Sequence, residues 1–110
     1  MRVDNLNRIE LHDARLTALS SDYALRKVVV DVDYYSDPVH ASERVSARIV
    51  FEKVKSLSQI VDFMQMKTNA AAGNVTNWWP NADGKTYLYL AGGCVIVESK
   101  KVTMEIVEKI

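Results

Sequence analysis

Over residues 26–35 apolar and polar side chains alternate, with Val28, Val30, Val32 and Tyr34 on one face and Lys27, Val29, Asp31, Asp33 and Tyr35 on the other. A period of two is the pattern of a half-buried antiparallel strand. Ser36-Asp37-Pro38 ends the run, because proline removes a ladder donor and favours a turn. A second alternating run covers residues 44–54, with Val45, Ala47, Ile49 and Phe51 inward and Ser46, Arg48 and Glu52 outward. The period then changes. Leu57, Ile60, Val61 and Met64 follow the i, i+3, i+4, i+7 spacing of a helical stripe, and Ser56 with Gln59 forms a capping box ahead of it. Ala70-Ala71-Ala72 extends this helix, and Gly73 supplies the left-handed residue that stops it.

Four short strands are expected after the helix, over residues 74–79, 85–91, 93–98 and 102–107. Asp83-Gly84, Ala91-Gly92-Gly93 and Ser99-Lys100-Lys101 separate them as turns. The N-terminal strand breaks phase: Ile9 and Leu11 are odd-numbered, whereas Ala14, Leu16 and Ala18 are even-numbered. Keeping its apolar side inward demands a bulge or bend near His12-Asp13. The resulting order, β-β-β-α-β-β-β-β, predicts an α+β fold. Its sheet is antiparallel, of about six to seven strands, with one helix packed on one face, in a single domain over residues 1–110.

Composition narrows the function classes. Fourteen basic and fourteen acidic side chains cancel, and the densest basic clusters are the pairs Arg26-Lys27 and Lys100-Lys101. That balance argues against nucleic acid or an anionic membrane as a partner. No apolar run approaches the roughly 20 residues that span a bilayer. The start, Met1-Arg2-Val3-Asp4-Asn5, lacks a signal peptide's apolar region, and the single Cys94 fits a reducing compartment. A cytoplasmic location is therefore expected, where the sequon Asn74-Val75-Thr76 has no use and reads as chance.

Candidate chemistry is sparse. His12-Asp13 could act as a general base oriented by a carboxylate if a bulge brings both side chains to one side. The competing reading is that one of them satisfies backbone groups freed by the bulge. Asp31 and Asp33 share a strand face and, with Glu52, offer oxygen ligands, but a solvated charged face is the simpler account. His40 falls in a loop and makes no zinc motif with His12. Cys94 reads as a buried structural thiol. Gly92-Gly93 lies between strands rather than before a helix, so it makes no phosphate loop. Neither a metal nor a cofactor is expected.

The aromatic cluster Trp78, Trp79, Tyr87 and Tyr89 is the strongest binding signal. With an even loop at Asp83-Gly84, Trp79 faces Leu88 and joins the core side, leaving Trp78 with Tyr87 and Tyr89 on an outer face. An odd loop exchanges the two tryptophans. Either way the two indoles point apart. Trp78, Tyr87 and Tyr89 are thus the first candidate binding residues, with His12 and Asp13 as a second group.

The segments ELHDARL, DVDYY, SARIVFEKVKSLSQI and AGNVTNWWPNADGKTYLYLAGGC, in that order, resemble a family of small uncharacterised bacterial proteins with an LHDA motif near the N-terminus. The likeness runs over nearly the whole chain and implies no activity. His12-Asp13-Ala14 also resembles the opening of small immunity proteins encoded beside bacterial toxins. Together these readings predict a non-enzymatic protein-binding module, immunity-like or homo-oligomeric, that uses an aromatic sheet face. The alternative is a small-molecule-binding protein or enzyme, with a pocket between helix and sheet near His12, Asp13, Asp31 and Tyr34. A structural subunit of a larger assembly is the third class.

Overall fold

The computed structural model describes residues 2–3, 5–37 and 43–107. Alternation builds its central strands as expected. β1 is Arg2–Val3, β2 Arg15–Asp22 and β3 Lys27–Tyr34. β3 is buried at every second residue, because Val28, Val30, Val32 and Tyr34 all face the core. β4 (Val45–Ile60) pairs antiparallel with β3 in the register Val30↔Ile49 and Val32↔Ala47. β5 (Val75–Ala82), β6 (Lys85–Leu90) and β7 (Gly93–Ile106) complete the sheet, all antiparallel.

The expected helix from Ser56 is replaced by strand. β4 runs on to Ile60, and its last five residues pair with β7, from Ser56↔Glu98 to Ile60↔Cys94. Residues 56–60 also fit a period of two, with Leu57 and Gln59 opposite the buried Val97 and Val95, and Ser56, Ser58 and Ile60 outward. A full ladder of backbone partners outweighs a capping box, whose contribution is small beside tertiary pairing. The only α-helix among the described residues, α1, is Phe63–Thr68, capped by Asp62, whose carboxylate accepts a hydrogen bond from the Gln65 N–H at 3.1 Å. It has no buried residue and reaches the margin of the core only through Met66, so it covers much less of the sheet than expected. Gly73 does adopt a left-handed φ of 116° and donates its N–H to the Asn69 carbonyl, but past a further turn.

The two expected C-terminal strands are likewise one. Ser99-Lys100-Lys101 is not a turn but the place where β7 changes face: Val95, Val97 and Ser99 are buried before it, Met104 after it. β4 answers with a bulge between Val54 and Ser56, next to Lys53 in a left-handed conformation. These two long strands pair along their length and bend together. β6 pairs with the first half of the other edge of β7, and β1 adds to its far end at Arg2↔Glu105 and Val3↔Met104.

The main path across the sheet is β2-β3-β4-β7-β6-β5. The sheet does not need a helical layer because it curls until its outer strands meet. The Asp13 N–H donates to the Val75 carbonyl, and the Val75 N–H donates to the Ala14 carbonyl, each at 3.0 Å. The concave side holds one core, with Phe51, Ile49, Leu88, Met104, Leu11, Val28, Val30 and Val32 almost wholly enclosed. Burial of each such side chain contributes about 1.5–3 kcal/mol. Among the described residues no helix is long and apolar enough to cross a membrane.

Candidate functional site

A bulge just before the β5–β6 turn decides which tryptophan is outside. The ladder runs Asn77↔Tyr89, Trp78↔Leu88 and Trp79↔Tyr87, then shifts register before Ala82↔Lys85. Asn81, Asp83 and Gly84 all take left-handed conformations around that shift. The loop itself is the expected even one, since Ala82↔Lys85 encloses Asp83-Gly84. Pro80 and Asn81 together oppose Thr86 as a bulge, however, and that extra residue exchanges the two tryptophans and corrects their expected assignment. Trp78 is 5% exposed and packs in the core, where its indole N–H donates to the Ile9 carbonyl at 2.9 Å. Trp79 is 58% exposed.

Directly paired residues share a face, so the register defines the outer surface of four strands. One row is Trp79, Tyr87, Ile96 and Ser58; the next is Asn77, Tyr89, Cys94 and Ile60. Tyr87 and Tyr89 stack with centroids 6.3 Å apart. Ile60 and Tyr89 are exposed, and Cys94, expected in the core, is half-buried on this face. Lys85, Glu98 and Ser56 form the adjoining polar row. Tyr87 and Tyr89 are therefore where sequence reasoning placed them, Trp78 is not, and Trp79, Ile96 and Ile60 were missed. Ile96 fell in a short expected strand with no face assigned to it, and Ile60 in a helical stripe. Only the pairing of β4 with β7 brings them beside the tyrosines.

His12-Asp13 forms a turn rather than a bulge within a strand, with Asp13 at a φ of 65°. Irregular geometry puts both side chains on one side: His12 Nε2 lies 3.6 Å from Asp13 Oδ2. The other ring nitrogen, Nδ1, is 2.8 Å from the Thr76 carbonyl and must be its donor, since a carbonyl only accepts. That bond, then the Asp13 carboxylate, hold the His12 pKa above 6.5; partial burial opposes them and Glu10 assists. The pair braces residue 12 against β5. Arg44 braces residue 13, its Nη2 donating to both the Asp13 and Ala71 carbonyls at 3.1 Å while its guanidinium lies over the Tyr35 ring. Gly73 sits so close that an added Cβ would fall 2.4 Å from the Asp13 carbonyl oxygen.

The expected pocket around His12, Asp13, Asp31 and Tyr34 is not assembled. Strand alternation sends Tyr34 into the core, where burial raises its pKa, and Asp31 to the opposite face. Asp31 pairs with Arg48 at 3.0 Å, Asp33 accepts from Ser46 at 2.8 Å, and Glu52 faces Lys101 at 3.9 Å. No group of metal-ligating side chains occurs among the described residues, and His40 lies outside them.

Asn74 is a further residue whose role the sequence reading missed. It is 2% exposed, and its side chain stands in for a missing strand between β2 and β5. Oδ1 accepts from the Leu16 N–H at 2.7 Å, and Nδ2 faces the Leu16 and Met66 carbonyls at 3.3 Å. No family model matches this chain, and no curated protein or solved structure shows significant similarity to it.

Proposed function

We propose that this protein is a non-enzymatic binding protein that engages a protein partner through the outer face of β5, β6, β7 and the end of β4. The observation that carries this reading is the double row of Trp79, Tyr87 and Ile96 beside Tyr89, Cys94 and Ile60, of which Trp79, Tyr89 and Ile60 are exposed and the others half-buried. Exposed tryptophan and tyrosine on a fixed scaffold are enriched at interfaces, because they bury large area while losing little side-chain entropy. Lys85 and Glu98, side by side at the rim, give the face both signs of charge. A second copy of the chain or a toxin partner, in the immunity-like version, are the two forms this binding takes, in the cytoplasm.

Sedimentation velocity from low micromolar to near-millimolar protein, with co-purification from the native host, tests the proposal. Trp79→Ala and Tyr89→Ala should leave the domain folded while abolishing self-association or the partner band. If both variants sediment and co-purify as the wild type does, the face is not the working surface.

A further inference from the structure

The second candidate surface lies at the opening of the curled sheet. Among the described residues the β2 and β5 edges are joined only near Ala14–Val75 and Leu16–Asn74. Beyond Leu16 the register of β2 against β3 slips at Thr17, whose hydroxyl donates to the Asp31 carbonyl at 3.2 Å, and no ladder joins β2 to β5 among the described residues. The gap leaves a cleft of about 550 Å³ between β2 and the start of α1. Its wall is Leu16, Leu19, Val61 and Met66, and its floor is Leu90 and Val95, which belong to the core itself. Among the described residues no ionisable side chain lines it, and Thr17 and Gln59 are the only polar ones. Phe63, on the same lining, is 81% exposed. The volume falls within the usual range for small-molecule sites.

Gln59 also lines a second recess, of about 470 Å³, between the β2–β3 turn and β4. Here the charge is one-sided: Arg26, Lys27 and Lys55 against Asp22. The carboxylate of Asp22 is already engaged by the Leu25 N–H at 2.9 Å. Arg26 is fixed in place from both ends. Its carbonyl accepts from the Val54 N–H at 2.9 Å, and its Nε donates to the Val54 carbonyl at 3.0 Å. Lys55 lies 3.9 Å from Glu98 in a solvent-exposed pair, which holds it only loosely.

We propose that the apolar cleft and the cationic recess on either side of Gln59 together bind a single-chain amphiphile with an anionic head. The alkyl tail lies on Leu16, Leu19, Leu90 and Val95, and the head, a carboxylate in its simplest form, reaches Arg26 and Lys55. An uncharged occupant would leave the recess unused. A fully charged one would be excluded from a cleft without counter-charges. The ligand is taken up as a free monomer rather than in a bilayer, because the gap between β2 and α1 is one chain-lined slot and the tail reaches core residues. The tail cleft shares no residue with the outer aromatic face, which the head recess borders through Lys55 and its partner Glu98.

Titration calorimetry with dodecanoate and with dodecan-1-ol tests it. Dodecanoate should bind once per chain, about tenfold or more tighter than the alcohol, as expected for a head held by two cations. Ala18→Trp, at an exposed position of the cleft, should weaken both ligands about tenfold by filling the tail site. Lys55→Glu with Arg26→Gln should weaken dodecanoate alone, and Trp79→Ala should change neither. Thermal unfolding of each variant checks that the fold survives; Ala18→Trp and the recess variant fail independently. The proposal is overturned by no saturable binding, by equal affinity for acid and alcohol, or by wild-type binding in Ala18→Trp. Sedimentation with phosphatidylglycerol vesicles in the absence of monomer binding would also overturn it, as would loss of binding in Trp79→Ala.

Discussion

Trp78 and Trp79 are neighbours in sequence, yet replacing each with alanine should have unrelated consequences. Trp78→Ala removes a buried indole and leaves the Ile9 carbonyl without its donor, so urea unfolding should show a loss of about 3–5 kcal/mol. Trp79→Ala should cost no more than about 0.5 kcal/mol, and it should remove most of the acrylamide-quenchable tryptophan fluorescence. Equal losses in the two variants would contradict the register. His12 gives a second prediction at this scale. Its pKa is raised on folding, so its charge stabilises the native state fully below 6.5, and that part is lost as pH rises through the higher folded value. The melting temperature should therefore decline slightly across this window, and the decline should be absent in His12→Ala. The effect is small because the ring is well exposed and screened. The His12-Asp13 phase break was legible in the sequence as a place where a regular strand must fail. Its use as a brace was not, because Thr76 and Arg44 come from distant parts of the chain.

At the scale of elements, β3 and the first half of β4 were legible because each alternates against neighbours of the same pattern. The second half of β4 was not. Leu57, Ile60, Val61 and Met64 satisfy a helical spacing, and the competing strand pattern wins only because the first half of β7 offers a ladder. Local sequence cannot report a partner nearly forty residues away. The shift at Trp79/Ala82 had a local signal outside the turn: Asp83-Gly84 forms the even two-residue loop, while Pro80, which lacks a ladder donor, and Asn81, which tolerates a left-handed conformation, form the bulge before it. Asn74 gives the element-scale prediction. Asn74→Ala strips hydrogen bonds from both the N–H and the C=O of Leu16 in a buried position, and should cost about 2–3 kcal/mol. Native-state hydrogen exchange should show the Leu16 amide opening first. Unchanged protection at Leu16 would mean that the side chain is not the link between the two edges.

For the molecule as a whole, the sheet forms its own core by curling rather than by recruiting a helix, with β4 and β7 as a shared spine. Exchange protection should follow that arrangement. Amides paired between β4 and β7 should approach the global unfolding free energy, and those of β2 beyond Thr17 should exchange through smaller openings. A β2 as protected as β7 would show that the edges are closed along their whole length. The Asn74 link has one more consequence, which concerns timing. Asn74 is also the acceptor of a glycosylation sequon, and that enzyme acts on extended chain before folding is complete. A sugar on Nδ2 would occupy the atom that faces the Leu16 and Met66 carbonyls, at a position with no room for it. Routed through a secretory pathway, each molecule therefore meets a fork: it folds first and hides the asparagine, or it is modified first and never joins its edges. The gel mobility of the secreted chain would record which came first.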